Sequence, residues 1–522
     1  MSDGSGAMLK ENVTRRVIPN IVSNVAFMLV NFAMGLVLVP YYVSELGVAA
    51  YAIIPVATSI TSYITLISDS LTSTVSRYMT IDMDTDMSSA RRTFNTAMVG
   101  FTALVIAAIP IILLVSIIAP SIFDIATNTV LSVQTMFVLI LSAVLISIWS
   151  NNFITVMYSK NRIDLMNTVK IVQVAMQVIL IVVFFTFVSK SVEYVGLAYF
   201  LAAVVYAAFG YLMARRVCPE LKVSRRQFDR SRLREMMTVS GWSLINSLGN
   251  LLFIQTSLLL VNVLMGAESG GYFGVIVSLI SAVSSLVDTL ASIFAPIIYK
   301  LFAEDRTEDM NAVSRMAVKI VGLVMSMPIA FLCVFAVPIL TLWMGPDYAF
   351  LYDVVWATMF VMIGIGAISP AYPLTLVYLR VNVPGLITFV IGIVNVVLTV
   401  LVITFTDLGL VGVGLMWSAT MFVKNCIINP WYIARVSGMG RFELHKSLAF
   451  GFASYFLLLV LYSLVDAALD IPVSWFWMVL LGVVLLAVHT VLIYRVALSK
   501  SEREVVNSCL PAPVRRVVER LG

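Results

Sequence analysis

The chain has 522 residues, of which 61% are hydrophobic and 12% are charged, and its mean hydropathy is +1.00. A single soluble core could not bury this much apolar surface, whereas a lipid bilayer accepts it directly, so the composition excludes a soluble globular protein. The formal net charge of +5 comes mainly from loops at membrane crossings. It therefore indicates topology and gives no reason to expect nucleic-acid binding.

Apolar runs of about 20 residues predict an all-α integral membrane protein with about fourteen transmembrane helices. The first run lacks a small-residue cleavage signature, which favours a retained helix over a signal peptide. The helices are predicted to start near Val17, Ala50, Phe94, Val130, Leu165, Tyr194, Met236, Gly271, Met316, Tyr352, Pro384, Val411, Ser447 and Trp475.

Basic residues fall on one side of the predicted membrane. Lys10, Arg15 and Arg16 precede the first helix, and the loop after every even-numbered helix is basic, whereas Lys190 is the only basic residue of the opposite loops. By the positive-inside rule this pattern puts both termini in the cytoplasm, and we expect a multi-pass protein of the plasma membrane. The basic loops include Arg77, Arg91, Arg92, Lys160, Arg162, Lys300, Arg306, Arg380 and the stretch 215–234.

The sequence contains an internal duplication. The segment Asp69–Ser73 returns as Asp288–Ser292, an offset of 288 − 69 = 219, and Pro110 returns as Pro328, an offset of 328 − 110 = 218. Six predicted crossings separate matched residues, and an even number returns the chain to the same side, so two six-helix lobes are predicted as parallel repeats. Duplicated membrane segments are typical of transporters with a substrate path between the halves.

The duplication sets the predicted domain boundaries, and two further helices follow it. In the tail, Val514, Val517, Val518 and Leu521 share one helical face, which predicts a short interfacial helix. The predicted regions are a cytoplasmic N-terminus (1–16), an N-lobe (17–217), a basic cytoplasmic linker (218–235), a C-lobe (236–436), two C-terminal helices (437–495) and a cytoplasmic tail (496–522).

Lys424 is the strongest single functional candidate. It follows Val411, the predicted start of its helix, by 424 − 411 = 13 residues, which puts it roughly 20 Å into the membrane at 1.5 Å per residue. An ionisable group at that depth is by default a functional candidate facing a cavity. We expect it to bind substrate or take part in coupling. A structural pair with an acid such as Asp288, or a neutral lysine bonded to carbonyl groups, is the alternative.

Asp69 and Asp288 occupy equivalent places in the two repeats, about three quarters of the way along unusually long helices. If they face the central cavity, their protonation or ion binding could couple transport to protons or sodium. If those helices overhang the bilayer, the two acids are only interfacial caps.

Polar faces run along three helices of the first lobe. Because polar faces must look away from lipid, we expect them to line a hydrated cavity and to bind substrate. Hydrogen bonding between helices is the alternative. The residues are Asn20, Asn24 and Asn31 on the first helix, Thr58, Thr61, Ser62, Thr65 and Ser68 on the second, and Lys170, Gln173 and Gln177 on the fifth.

No pattern in the chain predicts catalysis. There are two histidines, no glycine-rich loop follows a strand, and the predicted external loops are short. We therefore expect no catalytic residue, no cofactor and no metal site. The four cysteines fall in a cytoplasmic loop, two helices and the tail, so no disulfide is expected either.

The segment Pro40–Tyr51, which joins the first two helices, resembles the corresponding turn of polysaccharide and lipid-linked oligosaccharide flippases. These proteins belong to the multidrug/oligosaccharidyl-lipid/polysaccharide exporter superfamily. The resemblance implies a V-shaped, two-lobed transporter that moves an isoprenoid-linked sugar to the outer leaflet, with Lys424 and Lys170 meeting its anionic headgroup. Peptidoglycan-precursor flippases have arginines in the first helix, where this chain has Asn20, Asn24 and Asn31, so that substrate is disfavoured.

The expected partners are therefore a lipid-linked glycan, membrane lipids and a coupling ion, proton or sodium. Lysine side chains together with neutral Asn, Gln, Ser and Thr groups suit a phosphate attached to sugars. The alternative is a multidrug and toxin extrusion antiporter, which needs an apolar or acidic pocket, and the 27 methionines would suit a promiscuous one. A scaffold or receptor is disfavoured by the duplication and the intramembrane charges.

Overall fold

The computed structural model describes residues 3–125, 128–224, 227–378, 380, 382–469, 472–499 and 502–503. Over these ranges the chain is almost wholly helical and has no strand, and fourteen helices are long and apolar enough to cross a membrane. The predicted all-α membrane fold is confirmed. The spanning helices are α1 (Val22–Leu46), α2 (Val48–Met83), α3 (Met87–Ile122), α4 (Val130–Ser159), α5 (Ile163–Phe187), α6 (Val192–Val217), α7 (Ser247–Met265), α8 (Ala267–Phe302), α9 (Thr307–Val334), α10 (Pro346–Val377), α11 (Asn382–Phe405), α12 (Gly409–Val436), α13 (Glu443–Ala468) and α14 (Trp475–Ala497).

Two helices continue well beyond their apolar segments. The helix that contains α1 begins at Asp3, and the helix that contains α7 begins at Arg230. A hydropathy pattern detects only the part that lipid covers, so both starts lie earlier than predicted. Asp229 fixes the second start, because its carboxylate accepts hydrogen bonds from two backbone N–H groups of the first turn. The tail helix predicted at Val514 to Leu521 lies outside the described residues.

Two helices depart from regular α geometry near candidate residues. α10 is interrupted by the 3-10 turn Ser369–Ala371, which contains Pro370, because a proline ring removes a backbone donor and clashes with the preceding turn. α12 contains the π-helical turn Val423–Ile428, and Lys424 lies in it. Single π turns within α-helices occur frequently at functional positions.

By packing, the chain divides into two compact units. The first unit contains the chain up to Ser278 together with Thr388–Thr406, and the second contains Leu279–Ile387 and the chain from Asp407 onward. The first unit therefore includes α7 and α11, which the duplication would assign to the C-lobe. α7 and its N-terminal extension belong there because they pack along α2. The predicted domain boundaries describe an internal repeat and not units of packing. That the two lobes superpose stays a prediction.

α4 forms a rigid centre for the first unit. It packs against α6 so closely at Gly196 that an added Cβ would lie 2.9 Å from the Cα of Met136. The side chains of Phe137, Ile140 and Leu141 on the same helix are fully buried. Because such packing leaves little freedom for backbone movement, the polar side chains in the second half of α4 project from a fixed helix.

Candidate functional site

A cavity of about 790 Å³ lies within the first unit, lined by residues of α2, α4, α5 and α6. Asp69, predicted to couple an ion, and Lys170, predicted to bind substrate, both line it. Arg77 also lines it, so the cavity has two cationic groups and one carboxylate. Its other lining residues are Thr72, Ser76, Thr80, Ile81, Asn151, Ile154, Thr155, Tyr158, Met166 and Tyr206.

Neutral hydrogen-bonding groups surround these charges. Tyr206 donates a hydrogen bond to Asn151 Oδ1 at 3.0 Å. The Lys170 Nζ lies 5.3 Å from the centre of the Phe27 ring, close enough for the negative face of the ring to attract the cation. The cavity can therefore meet an anion with Lys170 or Arg77 and meet neutral polar groups with hydroxyls and amides.

The sequence pattern assigned Arg77 only to a basic loop and gave α4 no role. A usable signal was present on α2, where four cavity residues are spaced by three, four and four positions and so share one helix face. The second half of α4 carries a similar row, spaced by four and three positions. The residues are Asp69, Thr72, Ser76 and Thr80 on α2 and Asn151, Thr155 and Tyr158 on α4.

The asparagines at the start of α1 join this helix to α5. Asn20 donates to Asn161 Oδ1 at 3.0 Å and accepts from the backbone N–H of Asp164 at 3.0 Å. Asn24 Oδ1 accepts a hydrogen bond of 2.6 Å from Asn167. These bonds fit the alternative interpretation of the polar face, in which Asn20 and Asn24 hold two helices together.

The remaining predicted polar residues also lie away from the cavity lining. Asn31 is exposed and donates to the carbonyl oxygen of Phe27 in its own helix at 3.3 Å. Gln177 is buried beside the hydroxyls of Tyr42 and Tyr199, and Gln173 is half-buried. None of Asn24, Asn31, Gln173 and Gln177 is among the residues that line the 790 Å³ cavity.

In the second unit, Lys424 is buried, with 7% of its surface exposed. It lies in the π-helical turn of α12, which a polar cluster ties to α10. Tyr372 donates to Asn425 Oδ1 at 2.7 Å and accepts from Asn429 Nδ2 at 3.0 Å. Hydrogen bonds with Tyr372 thus hold the π-helical turn at Asn425 and at Asn429, the residue that follows the turn. Asp288, on α8, is exposed.

An ion-pair cluster lies at the predicted cytoplasmic ends of α2 and α3 and the start of the α7 helix. Arg232 Nη2 donates to both carboxylate oxygens of Asp82, at 2.8 and 2.9 Å, and its Nε donates to Thr93 at 3.2 Å. Tyr78 donates to Glu235 at 2.7 Å, and this bond holds the pKa of Glu235 below its usual range. No sequence pattern predicts the pairing of Arg232 with Asp82, because the two residues are about 150 positions apart.

Comparison with known proteins yields a family match and a curated relative. The model of the family described as "Polysaccharide biosynthesis protein" matches residues 17–302. The "Uncharacterized membrane protein EpsK" of Bacillus subtilis strain 168 is 23% identical over 492 residues, covering 93% of this chain and 96% of the relative.

Solved structures share the fold at low sequence identity. The lipid II flippase MurJ in an inward closed conformation matches with a TM-score of 0.64 at 12% identity, over 92% of this chain and 99% of that one. An inward-facing multidrug resistance transporter of the MATE family and MOP superfamily matches with a TM-score of 0.63 at 15% identity, over 82% of this chain and 99% of that one. At such identities these matches establish the transporter fold alone.

Proposed function

This chain belongs to the polysaccharide biosynthesis protein family, and we propose that it is a flippase that moves a lipid-linked oligosaccharide or polysaccharide precursor from the cytoplasmic to the outer leaflet. The mechanism is alternating access in the plasma membrane, with both termini in the cytoplasm. The proteins that share its fold are described as transporters and a flippase, and membrane lipids and the lipid-linked glycan are its partners.

The cavity of the first unit is the observation that carries this proposal. A phosphate or pyrophosphate headgroup requires positive charge, and Lys170 and Arg77 supply it. Sugars require many neutral donors and acceptors, which Asn151, Thr155 and Tyr206 offer beside those cations. Both requirements are met within one cavity.

The other candidate residues have proposed roles of the same kind. Lys424 meets the anionic headgroup in the second unit, where burial strengthens its interaction with an anion. Asp69 and Asp288 exchange the coupling ion, a proton or sodium. The amides of Asn24, Asn31, Gln173 and Gln177 have one of two roles. They bind sugar hydroxyls in another stage of the transport cycle, or they position the helices that bind the sugar.

Charge favours this function over a multidrug and toxin extrusion antiporter. Such an antiporter binds organic cations and needs an apolar or acidic pocket, whereas the cavity contains Lys170 and Arg77 against the single carboxylate of Asp69. Two cations beside one acid repel a cationic drug and attract a phosphate. The shared fold does not separate the two functions.

The test is translocation in proteoliposomes that contain the purified full-length chain. A fluorescent polyisoprenyl pyrophosphate disaccharide in both leaflets should become fully accessible to a membrane-impermeant quencher, whereas protein-free vesicles should protect the inner half. Expulsion of a lipophilic cation such as ethidium without movement of the disaccharide would overturn the flippase proposal in favour of the antiporter.

A further inference from the structure

The described residues of the connector between α6 and the α7 helix, 218–224 and 227–229, are held against the start of α3. Asn95, buried in α3, donates to the carbonyl of Lys222 at 3.1 Å and to Gln227 Oε1 at 2.8 Å, and accepts from the backbone N–H of Ser224. Thr96 accepts from the backbone N–H of Asp229 at 3.0 Å. These hydrogen bonds hold the described connector residues in defined positions, so that they form a wall beside α3, which a solvated linker would not need.

This wall and the first turns of α3 enclose a second concave site, which we call the arginine trough. It has a volume of about 490 Å³ and is lined by three arginines, namely Arg91, Arg92 and Arg230. An adjoining concavity of about 440 Å³ shares Arg91 and Gln227 with the trough and adds Lys222 and Glu220. The other residues of the trough are Ser88, Gln227, Phe228 and Asp229.

The lining of the arginine trough carries three arginines against one carboxylate, that of Asp229. Asp86, outside this lining, accepts hydrogen bonds from Ser88 and Ser89 as the cap of α3, and these bonds, with a smaller contribution from the charge of Arg92, hold the pKa of Asp86 below its usual range. Asp229 accepts from two N–H groups as the cap of the α7 helix. The Nε of Arg91 is buried and has no hydrogen-bond partner among the described residues, and a buried guanidinium N–H without an acceptor is costly.

The position of the trough favours a membrane lipid as the ligand of its arginines. Arg91 and Arg92 precede Phe94, where the apolar run of α3 begins, by three and two residues, which is about 3–5 Å along a helix. That is the level of lipid phosphates. Phe228 in the trough and Val223 on the same connector are exposed, by 40% and 56%, and apolar side chains beside arginines suit the interface between headgroups and acyl chains.

We propose that the arginine trough is a binding site for the phosphate of an anionic membrane phospholipid, separate from the transport cavity. Planar guanidinium groups bind phosphate oxygens in pairs of parallel hydrogen bonds, and three arginines line this site. A bound lipid joins the start of α3 to the connector and to the start of the α7 helix. This site goes beyond the proposed transport function and does not depend on it.

The test is binding to the purified full-length chain in neutral detergent. Dioctanoyl phosphatidylglycerol should raise the thermal unfolding midpoint to a plateau, and dioctanoyl phosphatidylcholine should not. The double variant Arg91→Gln with Arg92→Gln should weaken this binding about tenfold or more. The matched control, Arg216→Gln with Arg441→Gln, removes two exposed arginines outside the trough and should bind like the wild type. Arg230→Gln tests the same site if the double variant does not fold.

Three results would overturn the proposal. The first is that phosphatidylcholine stabilises the protein as much as phosphatidylglycerol does. The second is that the trough variants bind phosphatidylglycerol like the wild type, and the third is that the control variant loses as much binding as the trough variants. Stabilisation by sodium pyrophosphate without any effect of phosphatidylglycerol would assign the site to a soluble phosphate and reject the lipid.

Discussion

Replacing Asp82 by asparagine should loosen the start of the α7 helix. The Asp82 carboxylate accepts two hydrogen bonds from Arg232 and one from Thr93. Asparagine keeps the size of the side chain and removes its charge. The Arg232 guanidinium then retains only Glu235 as an ionic partner in this cluster, at 3.3 Å, and the Glu235 side chain is 50% exposed.

The size of the effect follows from burial. Removing one partner of a fully buried ion pair costs about 3–5 kcal/mol, whereas exposed pairs contribute about 0–1 kcal/mol. The side chains of Asp82 and Arg232 are 9% and 24% exposed, so the pair lies between these limits. We expect Asp82→Asn to lower the free energy of unfolding by about 2 kcal/mol, which is about a 30-fold change in the folding equilibrium.

Denaturant unfolding of the purified protein in mild detergent, followed by tryptophan fluorescence, measures this loss. Glu304→Gln is the control, because Glu304, 40% exposed, pairs with Lys300 and Arg306, whose side chains are 77% and 56% exposed, and each such exposed pair should contribute less than about 0.5 kcal/mol. In a double-mutant cycle with Arg232→Gln, the coupling energy should be at least about 1 kcal/mol. A loss for Asp82→Asn no larger than that for Glu304→Gln would refute the reasoning.

Three further outcomes are expected. Lys424→Ala should abolish translocation of a pyrophosphate-linked substrate at normal membrane levels, and Lys424→Arg should retain part of it because either cation can meet a phosphate; full activity of the alanine variant would contradict the proposed role. Gly364→Ala should lower the free energy of unfolding by about 1–3 kcal/mol, because an added Cβ would overlap Cys426 Sγ. Adding Cys426→Ala should recover part of this loss, and no recovery would show that the clash with Cys426 is not its cause. In an experimental structure, residues 17–217 should superpose on 236–436 with Asp69 over Asp288, and inverted lobes would rule out a parallel repeat.

The fold could be predicted from the sequence because a bilayer demands long apolar helices, and each run of about 20 residues reports one crossing. The packing partners of those helices could not be predicted in the same way. The α7 helix belongs to the first unit through contacts such as Ser59 to Gln255, at 2.7 Å, between residues 196 positions apart. Hydropathy records which segments lie in lipid, and it does not record which neighbour each one packs against.

The candidate site, like the fold, could be predicted from the sequence only in part. Asp69 and Lys170 could be identified because charges are rare inside membrane helices, yet their presence in one cavity depends on how α2 and α5 pack. The polar face that includes Asn24 was ambiguous, since helix–helix hydrogen bonds and a hydrated cavity leave the same pattern. The π-helical turn around Lys424 left no signal in the sequence, because it is a local shift of backbone hydrogen bonds within an apolar helix.

The shared cavity of Asp69 and Lys170 allows their roles to be separated. If Lys170 binds the substrate phosphate, Lys170→Met should abolish translocation at any pH or sodium concentration, since methionine is an unbranched side chain one atom shorter than lysine and carries no charge. If Asp69 exchanges the coupling ion, Asp69→Asn should change the pH or sodium dependence of transport more than it changes the amount of protein in the membrane, because an amide cannot take up a proton.

The double variant decides whether Asp69 only balances the charge of Lys170. In that case Asp69→Asn with Lys170→Met should fold as well as the wild type, and Asp69→Asn alone should leave the ion dependence unchanged. Lys300→Met, which removes an exposed lysine, is the control for loss of a positive charge. Wild-type transport by Lys170→Met at normal expression would remove Lys170 from the mechanism, and unchanged ion dependence in Asp69→Asn would leave Asp69 without a coupling role.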